Sequence, residues 1–195
     1  MSMSPATEPT IQAPQRSNHY RATGIVRGYF APADKERRKG TLVTPDAEFP
    51  ATVKGPWKAP KDAQERLWNV WVKTTNDETG LRFQLKGPYR DREGNLVLPS
   101  VLPGDRFSIR GRLQWWNAQE GTFGIYVRPN RDPIRQFKPF FIVVRGHLPR
   151  PRAGAFWEVE AGREGRQLVL LDGREVHPPA QGGKKGKPAK RQSRQ

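Results

Sequence analysis

RFSIRGRLQWW, residues Arg106 to Trp116, sorts its side chains by parity. Phe107, Ile109, Gly111, Leu113 and Trp115 make one set, and Arg106, Ser108, Arg110, Arg112, Gln114 and Trp116 the other. Successive side chains on a strand point to opposite faces, so the run predicts a β-strand with a packed inner face and an outer face of arginine and indole. A solvated face needs polar residues, yet not this many of one sign. The pattern repeats on either side of the run. Leu67 to Thr74 sets Trp71 and Lys73 against Trp68, Val70 and Val72, and Leu81 to Lys86 sets Arg82, Gln84 and Lys86 against Leu81, Phe83 and Leu85. Thr122 to Arg128 sets Tyr126 and Arg128 against Phe123, Ile125 and Val127.

Working outward, short runs rich in β-branched and aromatic residues, bounded by Gly, Pro, Asn or Asp, predict strands at Tyr20–Phe30, Thr41–Thr44, Ala51–Lys54, Phe140–Leu148, Trp157–Ala161 and Gln167–Leu171 besides those four. Asn76 to Gly80, Asn117 to Gly121 and Gly162 to Gly165 read as hairpin turns. Lys61 to Trp68 has helix-forming residues for two turns at most, or leads straight into the next strand. An apolar-Arg-Gly-x-apolar echo recurs at Val26-Arg27-Gly28, Ile109-Arg110-Gly111 and Val144-Arg145-Gly146, at unequal separations. Glycine inside a strand marks a bulge or sharp coil, the device that closes a small sheet into a barrel. The fold class is therefore all-β: a small closed barrel with extra C-terminal strands and disordered N- and C-terminal tails.

Length and charge bound the rest. The 195 residues suit one domain of ordinary size, or two very small ones sharing a core, and one main domain is the reading preferred. The net charge of +16 favours a polyanion partner, because cations that neutralise phosphates release condensed counterions. Six of those charges lie between Lys184 and Arg194, which reads as a disordered basic arm and leaves +10 on the remainder. The expected organisation is a flexible leader over 1–18, a barrel domain over 19–134, added β-strands over 135–177 (a sheet extension or a second small subdomain) and a basic tail over 178–195. With no cysteine, disulfides, thiolate metal sites and a cysteine nucleophile are excluded. No apolar run is long enough to span a membrane and no signal peptide is evident, so the expectation is a cytoplasmic protein without a membrane partner.

The stretch Leu102 to Val127, LPGDRFSIRGRLQWWNAQEGTFGIYV, resembles the late strands of bacterial single-stranded DNA-binding proteins, with Gly104, Phe107, Ile109, Gly111, Leu113, Gly121 and Val127 at matching positions. That family's chains end in an acidic tip, whereas this one ends in a basic arm. The resemblance implies an OB-type barrel and, with it, nucleic-acid binding.

Proteins of that kind combine a positive groove with rings on which bases stack. The residues here that supply both are Trp71, Lys73, Arg82, Lys86, Arg106, Arg110, Arg112, Trp116, Tyr126 and Arg128, on four strands expected to share one face. Arg37, Arg38 and Lys39 lie in the loop joining the first two strands, Trp57 sits in a Lys/Pro-rich loop, and Lys184, Lys185 and Arg191 lie in the tail. One bulge at Gly111 would exchange Trp115 for Trp116 as the stacking residue. His19, His147 and His177 are isolated, no phosphate loop or dinucleotide fingerprint occurs, and Pro45 to Glu48 lacks the Glu-x-Lys partner of a nuclease site. Glu158 and Glu160 share a strand face and read as an edge-protecting pair. The expectation is a non-catalytic protein without cofactor or metal that holds single-stranded DNA or RNA on a basic, aromatic β-face. The alternative is an accessory subunit of a large ribonucleoprotein or polymerase assembly, docked mainly on protein with its basic arms on nucleic acid. Oligomeric state is left open.

Overall fold

Ten strands form where the alternation placed them: β1 (Arg21–Pro32), β2 (Lys39–Val43), β3 (Glu48–Val53), β4 (Arg66–Thr74), β5 (Leu81–Pro88), β6 (Arg106–Asn117), β7 (Thr122–Val127), β8 (Phe140–Arg145), β9 (Phe156–Glu164) and β10 (Gln167–His177). The computed structural model describes residues 19–60, 62–78, 80–101, 104–130 and 138–179. The expected leader and basic tail, with Lys184, Lys185 and Arg191, lie outside the described residues. The segment before Trp68 leads straight into β4.

The pairings close two rings. β1 pairs with β2, β2 with β3, β3 with β5, β5 with β4, and β4 with β1 again. β6, β7, β8, β10 and β9 repeat that order and close on β6. In each ring the third and fifth strands run parallel and the other pairs antiparallel. The chain is thus all-β with a closed five-strand barrel, and the strands beyond it form a second barrel. The strands expected after residue 134, β8, β9 and β10, share their ring with β6 and β7 from before it.

The barrels are joined through their first strands. The early half of β1 pairs antiparallel with the early half of β6, from Arg21 opposite Arg110 to Ile25 opposite Arg106. Their later halves pair on the same edge with β2 and β7. This is a pseudo-two-fold arrangement with Gly24 and Phe107 facing each other at its centre. Two large side chains cannot occupy that point, and here one is absent: a Cβ on Gly24 would lie 2.4 Å from Phe107 Cδ1. The echo noted in sequence marks the symmetry in part. Gly28 and Gly111 are equivalent, and a Cβ at either would strike the carbonyl oxygen of the neighbouring second strand, Val43 or Tyr126. Gly146 belongs to a different place, the end of β8, at φ +140°.

One core serves both rings. Phe107 of the second barrel stacks on Phe83 of the first, ring centroids 6.2 Å apart, among buried Val26, Trp68, Val70, Ile109, Leu113 and Val159. Several polar ties fasten the seam. Arg163, on β9, bonds Asp105 at 2.6 Å and Asp46 of the first barrel at 2.9 Å, with its guanidinium over the Phe49 ring. Thr74 Oγ1 of β4 donates to the Phe141 carbonyl and accepts from Val143 N–H, holding the free edge of β8. Asn130 brackets Tyr20 through both its backbone N–H and its carbonyl.

Candidate nucleic-acid interface

The first barrel sets a ring and three cations on the outside of β4 and β5. Trp71 is 38 % exposed, and Lys73, Arg82 and Lys86 are exposed beside it. The β4–β5 register slips between Asn69 and Val70, leaving Lys86 as an extra residue. A bulge re-aims a side chain, and this one carries the Lys86 ammonium over the Trp71 ring at 5.5 Å. Lys73 crosses the seam, its ammonium 4.8 Å from the centre of the Phe140 ring at the head of β8. Arg106 is exposed two strands away, across β1. Lys73, Arg82, Lys86, Arg106 and Arg128 enter no ion pair among the described residues.

The second barrel continues the row of rings on β6, β7 and β8. Tyr126 and Phe141 are cross-strand partners with centroids 5.5 Å apart, and Phe141 is 44 % exposed. Strand β6 slips between Leu113 and Trp115, with Gln114 as the extra residue. Trp115 therefore pairs with Gly124 on the outer face, and its indole lies where a Cβ of Gly124 would be. Trp116 pairs with Phe123 and has inward parity, although it is 43 % exposed at the strand's end. The stacking candidate on the outer face is thus Trp115. The bulge that makes the exchange sits at Gln114, not Gly111, because Gly111 is held in register under the Tyr126 carbonyl.

Other sequence candidates are placed elsewhere. Arg110 faces Glu158 at 3.6 Å, Arg112 donates to the Gly154 carbonyl, and Arg128 lies over the Tyr20 ring. Trp57 stacks on Trp68 of the core at 6.1 Å, so it docks on the first barrel as a loop anchor. Arg37, Arg38 and Lys39 lie beyond the far end of β1, where Asp34 accepts from the Arg38 and Lys39 backbone N–H groups. Arg37 has left-handed backbone, φ 54°. The four strands expected to share one face are split: β4 and β5 reach β6 through β1, while β7 turns away with β8. Phe140 and Phe141 are rings beside these candidates that the sequence reading leaves out, and Trp115 enters it only as the exchange for Trp116. The signal was present for Phe141, which shares outward parity with Val143 and Arg145.

Electrostatics differ sharply along the outer surface. Glu158 is not at an edge, since β9 is paired on both sides; it gathers Arg174 at 2.6 Å, Arg21 at 3.0 Å and Arg110 at 3.6 Å. Burial would raise its pKa, but these arginines outweigh it and hold the carboxyl below its ordinary range. Asp105, by contrast, is pushed up by burial despite the Arg27 N–H and Arg163 that favour its charge. Among the described residues no cluster of His, Asp or Glu has the geometry of a metal site.

Five-stranded Greek-key barrels with this connectivity are of the OB type, in which the second and third strands and adjoining loops form a face for oligonucleotides or oligosaccharides. Here those strands in the second barrel are β7 and β8, with Trp115 at the hairpin leading into them. The family model described as "Cyanobacterial OB-fold-like RNA-binding domain, C-terminal" matches residues 109–177, which is the second barrel from within β6 to the end of β10. That barrel has the OB-type topology that the family's description names. The resemblance over 102–127 falls on β6 and β7, so it marks the opening of the second barrel rather than the end of the first. No curated protein and no solved structure matches the chain.

Proposed function

We propose that the protein is a non-catalytic holder of single-stranded nucleic acid, RNA in particular, with both barrels contacting one strand. The observation that supports this reading is the set of ring contacts flanking the seam: Lys86 over Trp71 and Lys73 over Phe140, with Phe141 against Tyr126 on the other face of β8. Bases of any sequence stack on such rings, while the ammonium and guanidinium groups track the phosphates. The family match supports RNA as the strand. The basic tail read from sequence adds attraction without sequence preference.

Fluorescence anisotropy with labelled oligouridylate and oligothymidylate tests it on the full chain, in which the tail is present in every sample. Trp71→Ala and Phe141→Ala should each weaken binding and reduce the quenching of tryptophan emission by the oligonucleotide. Unchanged affinity in both variants would assign the binding to the tail and sink the reading.

A further inference from the structure

An open cleft of about 390 Å³ lies on the outer side of the junction where β4, β1 and β6 run side by side. Its polar lining is Lys86, Asn69, Thr23, Arg106, Ser108 and Glu160, contributed by both barrels. Register arranges these groups in two rows. Asn69, Ile25 and Arg106 stand in one, with the bulged Lys86 at its end; Thr23, Ser108 and Glu160 stand in the next. The rows are two residues apart along the strands, about 7 Å, the scale of a sugar-phosphate unit. The first row ends in two cations that enter no ion pair among the described residues. The second ends in a carboxylate, whose Oε1 accepts from Ser108 Oγ at 2.6 Å and keeps lone pairs for another donor.

We propose that this cleft takes one ribonucleotide unit of the bound strand, with its phosphate between Lys86 and Arg106 and its 2′-hydroxyl donating to Glu160. This rests on the reading that the chain holds single-stranded RNA, and deepens it by naming what distinguishes RNA from DNA. A carboxylate repels phosphate, so it orients the unit and rewards the sugar that offers a hydroxyl donor. Lys86 links the cleft to these ring contacts, because its ammonium also lies over Trp71.

The test compares the affinities of the full chain for oligouridylate RNA and the matched deoxyuridylate, across a salt series. Arg106→Ala and Lys86→Ala should each weaken both by about tenfold, as loss of a charged hydrogen bond does, and each should lower the salt slope by about one. Arg106→Lys should retain most of the slope. Glu160→Gln should leave DNA binding equal or stronger while cutting the RNA-to-DNA ratio about fivefold. Wild-type affinity and slope in both cation variants would overturn the site. An unchanged ratio in Glu160→Gln and Glu160→Ala would overturn the sugar contact. Uridine monophosphate displacing the oligonucleotide at equal molar affinity would make the occupant a free nucleotide and overturn the strand. Failure of the wild type to bind either oligonucleotide would instead fail the underlying reading.

Discussion

Strands β4 and β5 of the first barrel and β9 and β10 of the second are equivalent under the pseudo-two-fold, yet their outer faces carry different chemistry. The register that matches Val26 with Ile109 also matches Trp71 with Gly162, Lys73 with Glu164 and Asn69 with Glu160. Even the bulge is repeated. Its extra residue is Lys86 in one barrel and Leu171 in the other, and each lies over its counterpart of the pair, Lys86 over Trp71 and Leu171 over Gly162. One backbone device therefore serves two ends: it presents a cation on an indole in the first barrel and caps a glycine with an apolar side chain in the second. The second barrel neutralises its arginines on Glu158 and Glu164 and keeps its exposed rings on β6 and β8 instead. On the function proposed above, the two halves would contribute different strands to the contact with one nucleic-acid strand.

That comparison fails first if the halves are not fused. Arg163→Met leaves Asp105 buried beside Asp46 without its cation, and a broken buried pair costs about 3 to 5 kcal/mol. Denaturant unfolding should show that loss, with the wild type unfolding in one transition. Gly24→Ala comes next: its Cβ would meet Phe107 and the Arg106 carbonyl oxygen at 2.4 and 2.6 Å. Overpacking at this point should cost about 1 to 3 kcal/mol in the same measurement.

The two faces are separated by binding. Trp71→Ala should lose about 1 to 3 kcal/mol of oligonucleotide affinity, as the removal of a stacking ring does. Exchanging the bulge residues sharpens the contrast. Lys86→Leu should weaken anisotropy-measured binding about tenfold, whereas Leu171→Lys, set beside Asp172 and Glu160, should change it by less than about threefold.

Acid stability is the smallest effect. Glu158 and Asp46 have lowered folded pKa values, so the stability they contribute is present above the ordinary carboxylate range and is lost as pH falls through their folded values. For Asp46 the cause is the hydrogen bond from Arg163. Asp105 has the opposite sign, its contribution decreasing as pH rises from its unfolded to its raised folded value. Glu158→Gln should flatten the acid limb of a plot of unfolding midpoint against pH, and an unchanged limb would remove Glu158 as the anchor of the β9 face.

Every strand was legible in sequence because period-two alternation needs nothing beyond neighbours along the chain. Even so, parity cannot see a slip. Gln114 carries no mark of a bulge, so Trp115 and Trp116 exchange roles only when β7 is laid beside β6. Trp57 is similar: its loop reads as well for stacking on a base as for stacking on Trp68, and only the packed barrel supplies the second indole.

By itself, then, the sequence determined the all-β class, the strand positions, the sign of the surface and most of the rings that reach it, since these depend on residue type and spacing. Tertiary structure decided that β6 opens a second barrel, that Gly24 yields its place to Phe107, and which cations Glu158 neutralises. Those outcomes depend on pairings between residues about 15 to 140 positions apart, where the closing of a ring selects the partner and no local preference does.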